Sequence, residues 1–219
     1  MNDRFGYEND FGLVIIRKKD ETNKHAMHDQ KSHGRRGAKT FFDGGGEISK
    51  RLDAEKDRTI IESAFETVDM MTDMLGEEFK NDKGVMYTSN ALDTALTEGH
   101  AARIATTENG LAGAISYDIR DAETASALQS MVDIPKEDQV GPHIYISYLG
   151  STGLTKGAGS ALAQSVFEEA ASRNMGVMLQ TVPESKAFWE KMGVTDKIEF
   201  FYEAMNYASP EKVKELVGQ

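Results

Sequence analysis

His143-Ile-Tyr-Ile-Ser-Tyr-Leu-Gly-Ser-Thr-Gly-Leu-Thr-Lys-Gly-Ala-Gly-Ser-Ala-Leu162 joins a β-branched and aromatic run to a loop of Gly, Ser and Thr, and then to an apolar-periodic segment that opens on two glycines. Residues 143–149 read as a strand and 150–157 as a flexible loop. From Gly157 to about Arg173 the chain reads as a helix, with Leu162, Val166 and Ala170 on one face and Glu168, Glu169 and Arg173 towards solvent. A strand, loop and helix joined in this way make an anion trap. The first helical turn carries N–H groups without intrahelical partners, the dipole favours negative charge there, and glycines let a phosphate approach the backbone closely.

Three phosphate-binding patterns compete for this segment. A P-loop counted from Gly150 would need glycine at Thr155 and a hydroxyl residue at Gly157, and it has neither. A dinucleotide fingerprint counted from Gly157 meets Leu162 where its third glycine belongs, and it stands late in the chain rather than at the first strand. The third pattern is Arg/Gln-x-x-Gly-x-Gly/Ala between a strand and the following helix, and Leu154 to Gly159 matches it at both glycines. The plainer use of Gly157-x-Gly159 is a tight helix–strand contact.

That third pattern resembles the pyrophosphate loop of the GNAT acetyltransferases. A second match follows in order: Ser185-Lys-Ala-Phe-Trp-Glu-Lys-Met-Gly193 is similar to the family's Ala-x-x-Phe-Tyr-Glu-Lys-x-Gly. The resemblance covers Ala101 to about Met205. It implies an α/β fold of the α+β type, a mixed, splayed sheet flanked by helices, in which strands 143–149 and 176–182 diverge to admit pantetheine. It also implies acetyl-coenzyme A as cosubstrate. The backbone of Tyr148, Leu149 and Gly150 would pair with the pantetheine amides. The segment of Leu154, Thr155, Lys156, Gly157, Ala158, Gly159 and Ser160 would hold the pyrophosphate, with Lys156 adding charge.

Two residues depart from the family pattern. Leu154 stands at the Arg/Gln position, so a side-chain contact to the pyrophosphate is lost. Trp189 stands where many members place the tyrosine that protonates the departing thiolate, and an indole cannot do that; as part of an amphipathic helix, Phe188 and Trp189 also read as core aromatics. His143, Tyr148 and Glu184 are the nearby candidates for proton handling. None is singled out by spacing: His143 follows Pro142 at a strand start, and Tyr148 also reads as a packed strand aromatic.

Working outward, residues 101–120 read as a β-hairpin turning at Asn109-Gly110, with Leu111, Ile115, Tyr117 and Ile119 on one face of the second strand. Asp121 to Gly141 reads as a connection holding a short helix. Residues 47–80 read as one long helix or two in series, with Ile61, Phe65, Val68, Leu75 and Phe79 at helical spacing and a break near Gly76. Further strands are expected at Gly176–Val182 and Ile198–Met205, and a short helix at Glu184–Met192 ended by Gly193. Ser209-Pro210 is an N-cap followed by proline at the first helical position, starting a last helix to Val217. The acceptor wall of the resembled family corresponds to Glu47–Gly99 and Asp121–Gly141, which carry no diagnostic residue.

The N-terminal part differs in character. Leu13 to Ile16 reads as a strand, followed by a polar linker to Asp43-Gly44-Gly45-Gly46, which divides the chain into an extension, 1–46, and the main domain, 47–219. His25, His28 and His33 with Asp29 offer imidazoles and a carboxylate, but without a helical histidine pair no metal site is assigned. His28-Asp29-Gln30-Lys31-Ser32-His33-Gly34 resembles a segment of tailed-bacteriophage head-morphogenesis proteins, which implies a phage origin. Lys31, Arg35, Arg36 and Lys39 form the one basic cluster.

Among 219 residues the apolar fraction of 39% is enough for a packed core, while a net charge of −11 opposes broad capture of nucleic acid. Cysteine is absent, which excludes disulfides, thiolate zinc sites and a cysteine nucleophile, and suits a reducing compartment. No apolar run reaches signal-peptide or membrane-span length. The expected activity is transfer of an acetyl group from acetyl-coenzyme A to an amine of a small molecule or protein, in the cytoplasm, the host's if phage-encoded. The alternative is a catalytically inactive module of the same fold acting as a virion-associated or host-interaction protein.

Overall fold

The computed structural model describes residues 40–42, 46–76, 82–108, 110–131, 134, 139–153, 155–200 and 203–219. The strand expected at Leu13–Ile16, the histidine and basic clusters, Asn109 and Leu154 lie outside the described residues. Eight strands form one sheet: β1 (Thr40–Phe42), β2 (Gly46–Ile48), β3 (Ala101–Thr107), β4 (Gly110–Arg120), β5 (His143–Ser151), β6 (Gly176–Leu179), β7 (Asp196–Phe200) and β8 (Glu203–Ala208). Their spatial order is β1-β2-β3-β4-β5-β6-β8-β7. All neighbours are antiparallel except β5 and β6, which run parallel. This is the mixed, helix-flanked sheet the resemblance implies.

Helices cover both faces. On one lie α1 (Arg58–Leu75) and α2 (Lys83–Glu98), followed further along by α3 (Ala122–Met131). Ile61, Ala64, Val68 and Met71 recur at helical spacing on α1 and are all buried, together with Leu92 and Ala95 of α2 and Ile104 of β3. Gly76 ends α1 as expected, with φ 83°. On the other face α4 (Ala158–Ser172) sets Leu162, Val166, Phe167 and Ala170 against Ile115, Tyr117, Ile144 and Ile146. The short α5 (Lys186–Lys191), entered through a 3-10 turn at Pro183–Ser185, and α6 (Pro210–Leu216) close that side with Trp189 and Val213. Ser209 caps α6 as expected, its Oγ accepting from the Lys212 amide at 3.3 Å.

Several expectations need correction. Residues 47–57 are not helical: β2 pairs with β3, and Leu52 bridges Ala102, so the helix begins only at Arg58. Residues on both sides of position 46 share the sheet, with Thr40 facing Ile48 and Phe42 facing Gly46. Helix α2 has no counterpart in the sequence reading, although its signals are present: Asp82 Oδ1 accepts from the Gly84 and Val85 amides, and Gly99 ends it in the left-handed region. Residues 198–205 are not one strand but parts of two, β7 and β8, paired antiparallel with Ile198 facing Met205.

Two single-residue corrections come from the same interface. A bulge at Ala112 makes Leu111 face α1 and α2 while Ile115 faces α4, so the two do not share a side. Glu169 is not turned to solvent: its side chain is 9% exposed and receives Tyr117 and Arg103.

Candidate active site

The site begins where two strands stop pairing. β5 and β6 are matched from His143–Gly176 to Ile146–Leu179, whereas β5 stays paired with β4 up to Gly113–Ser151. From residue 147 to 151 the edge of β5 that faces β6 therefore has no strand partner among the described residues, and the sheet opens there. A bulge marks the spot: Ser116 faces Tyr148 and Tyr117 faces Ile146, which leaves Ser147 as the extra residue. Ile146 and Leu149 both pack towards α4. With two residues between them instead of one, Ser147 and Tyr148 both turn to the α1/α2 face. Tyr148 is 37% exposed.

Past the opening the chain is pinned and then released. Thr152 is buried, its hydroxyl donating to the Leu111 carbonyl at 2.9 Å and its amide to Ala112 at 3.0 Å. Gly153 and Gly157 follow in the left-handed region, φ 75° and 93°. Gly157 is the N-cap of α4 and offers no side chain, so the amides of Ala158, Gly159 and Ser160 have no capping acceptor among the described residues. The first partner that the turn does satisfy is the Ala161 amide, on Gly157 O at 2.9 Å.

Among the described residues a methyl group built on Gly159 would find only Ser151 Cβ, at 3.9 Å. Thr155 is half-buried, and Lys156 and Ser160 are exposed. An open helix start with three free donors, a lysine and no carboxylate hydrogen-bonded to it fits a phosphate.

The remaining expected residues divide. Gly150 is roofed: a methyl there would lie 2.0 Å from the Thr88 amide of α2, so its face is filled and only its in-plane edge is open. Trp189 does not line the opening. It is 5% exposed in the core and meets Phe188 edge-on, with ring centroids 4.9 Å apart.

His143 is also displaced, because it lies at the start of β5 and the loop at its end, roughly 26 Å away at the usual rise per strand residue. Burial pushes its imidazole down to about 4, and its Nδ1 donates to Gly141 O at 2.9 Å. Glu184 does reach the mouth of the opening, where it pairs with Lys83 of α2. That hydrogen bond and the ammonium charge hold the Glu184 carboxyl below its usual range and make it a poorer base.

One polar group went unmarked in the sequence. Ala102 and Ile104 face α1 and α2, so His100, directly after the Gly99 turn, faces the same way. Its Nδ1 lies 3.0 Å from Ser147 Oγ, and its Nε2 lies 3.5 Å from Glu98 Oε2. Ser116, next in alternation after Ala114, shares this face; its Oγ is buried and has no hydrogen-bond partner among the described residues. No spacing motif announces these residues, because a helix end, a strand start and a bulge bring them together.

Among the described residues no helix is long and apolar enough to cross a membrane. No family model matches the sequence, and no curated protein matches it. Among solved structures the chain is similar to FeeM, an N-acyl amino acid synthase from uncultured soil microbes, at 11% identity and TM-score 0.47, over 78% of this chain and 94% of that one. It is similar to a histone acetyltransferase HPA2 and related acetyltransferase from Corynebacterium glutamicum at 15% identity and TM-score 0.44, over 74% and 96%. A predicted acetyltransferase with acetyl-CoA from Clostridium acetobutylicum gives 16% identity and TM-score 0.41, over 71% and 94%.

Proposed function

We propose that this chain is an acyl-coenzyme A-dependent N-acyltransferase that moves an acetyl group to an amine of a small molecule or protein by direct attack. The observation that carries this reading is the coincidence of two openings on one strand: β5 loses its β6 partner after Ile146, and the uncapped start of α4 follows the end of the same strand. A thin chain bearing amides suits a gap with a free peptide edge, and a pyrophosphate suits the amides beyond it.

The cosubstrate supplies an activated acyl group as its thioester. The edge of Tyr148, Leu149 and Gly150 would orient the pantetheine arm. The amides from Thr155 to Ser160, with Lys156, would hold the pyrophosphate without the side chain that Leu154 replaces. The opening lies between two covered faces, so the acyl carbon would be held away from bulk water. Positioning of this kind accounts for a large share of the rate in bimolecular transfers. The run from His28 to Gly34 supports a phage or prophage origin, with the host cytoplasm or the virion as the place of action.

One observation favours the second reading, a binding module without turnover: Trp189, at the position of the resembled family's tyrosine, is 5% exposed in the core. Calorimetric titration of coenzyme A and acetyl-coenzyme A separates the possibilities, with Gly159→Glu and Lys156→Glu as controls. Saturable binding lost in both variants supports the cradle. Absence of binding to the folded wild type at millimolar ligand sinks the enzyme reading, and binding without transfer to any amine leaves the module.

A further inference from the structure

On the acyltransferase reading the attacking amine must lose a proton, and of the three residues expected to take it only Tyr148, 37% exposed, stands at the opening itself. His143 lies at the far end of β5, and Glu184 is held by Lys83. The face opposite α4 supplies an alternative. Ser147 is the bulged residue directly after the last β5–β6 pair, so its hydroxyl stands at the point where the strands part.

We propose that Ser147, His100 and Glu98 form the proton relay for the acceptor amine, and that the polar floor they share with Ser116 is the acceptor subsite. Ser147 is the member that touches substrate; His100 and Glu98 act through it. At 3.0 Å the Ser147 hydroxyl donates to His100 Nδ1 in the tautomer that carries its hydrogen on Nε2, and in that tautomer the Nε2 hydrogen faces Glu98 at 3.5 Å. His100 is 16% exposed at the side chain, so the ring is held in place, while Glu98, 63% exposed, keeps its carboxylate in contact with water.

In the transfer the amine nitrogen forms a bond to the acyl carbon and releases a proton to Ser147 Oγ. Ser147 passes its own proton to His100 Nδ1, and the Glu98 carboxylate stabilises the resulting imidazolium. The C–S bond breaks with its electron pair on the departing thiolate, which takes a proton from solvent, and His100 later returns its proton to water. Ser116 Oγ, buried across from Tyr148 and without a hydrogen-bond partner among the described residues, would accept the second N–H of a primary amine. The acceptor thus enters from the α1/α2 face and the cofactor's phosphates from the α4 face.

The test follows thiol release from acetyl-coenzyme A by the full chain, with water alone and with a panel of primary amines. The chain has no cysteine, so a thiol reagent reports only product. Wild type is compared with Ser147→Ala, His100→Ala and Glu98→Gln, each also titrated with coenzyme A by calorimetry. Absence of coenzyme A binding in wild type removes the cofactor reading and this one with it; binding that persists in the variants isolates the relay.

The expected result is a fall in kcat of about 100-fold in Ser147→Ala and His100→Ala and about fivefold in Glu98→Gln, with KM for acetyl-coenzyme A within about twofold. Added imidazole should restore part of the rate in His100→Ala alone. Glu98 is exposed, so its variant reports on the relay free of any folding defect. Rates within about threefold of wild type in both buried-site variants would overturn the relay. So would failure of imidazole rescue, an acetyl group found on Ser147 by mass spectrometry, or a wild type that binds coenzyme A and releases no thiol above the solvent rate.

Discussion

Glu169 on α4 and Tyr117 on β4 are joined across the helix–sheet interface by a 2.7 Å hydrogen bond from the phenol to Oε2, which also accepts from Arg103 at 2.8 Å. Arg173 reaches the other carboxylate oxygen at 3.0 Å, one helical turn on. Burial alone would raise the Glu169 carboxyl, but the two hydrogen bonds and the arginine charges outweigh it and hold the carboxyl below its ordinary value. Glu169→Ala leaves the Arg103 charge in the interior without its carboxylate, with only Tyr117 Oη at 3.3 Å and Ser49 O at 3.5 Å to accept from it, and should cost about 3 kcal/mol in urea unfolding at neutral pH.

The sign of the pH effect follows from that direction. A carboxyl lowered on folding stabilises fully above its unfolded pKa and loses the contribution as pH falls through the folded one. The wild type should therefore lose stability below about pH 4, near glutamate's ordinary value, by a component that Glu169→Gln lacks. Urea midpoints of both proteins at several acidic pH values check it; parallel curves would remove the ion-pair account.

His143 acts in a different window. Its folded pKa of about 4 lies below the ordinary histidine value, so the neutral ring stabilises above about pH 6.5 and the contribution is lost as pH falls towards 4. The full loss amounts to about 3 kcal/mol at roughly 1.4 kcal/mol per pKa unit. His143→Asn should be less stable at pH 7.5 but show a flatter dependence between pH 6.5 and 4.5. An equal slope in both proteins would mean that the ring is not kept neutral by burial.

The strand, loop and helix around Gly157 were legible because their geometry is local: a glycine that must take φ 93° and an apolar stripe on α4 are written in neighbouring residues. The hairpin of β7 and β8 was not, since Ile198-Glu-Phe-Phe-Tyr-Glu-Ala-Met205 contains no Gly, Pro or Asn to mark a turn. Glu169 read as solvated because one-helix periodicity cannot see that Arg103 comes from another element. The His100 group was hidden for the same reason. Its members meet only after the Gly99 turn and the Ser147 bulge are in place, and neither the bulge nor its partner strand can be read from one segment.

Helix α2 rests on β5 with almost no space between backbones. A methyl on Gly84 would lie 2.0 Å from Ser151 O, and one on Gly150 2.5 Å from Gly84 O. Backbone cannot give way as a flexible side chain does, so Gly150→Ala should lift α2 from the sheet and cost about 3 kcal/mol or more. The same shift moves Lys83 from Glu184 and unseats the helix that ends at Glu98, so thiol release should fall with it. A variant with unchanged urea midpoint would show that α2 does not pack on β5 as described.

Gly157 and Gly159 stand two residues apart and should respond in opposite ways. Gly157 has φ 93°, a region that costs an L-residue about 1–2 kcal/mol, so Gly157→Ala should lower stability by that amount. Gly159 lies within α4, a methyl added there meets nothing closer than 3.9 Å, and alanine is the better helix former, so Gly159→Ala should leave stability equal or slightly raised. If the amides of this turn hold a pyrophosphate, that methyl stands where an oxygen must come close, and coenzyme A affinity should fall about tenfold or more in a protein that is no less stable. Denaturation and calorimetry on the two variants keep folding and binding apart: affinity unchanged in Gly159→Ala would place the phosphate elsewhere, whatever the stability shows.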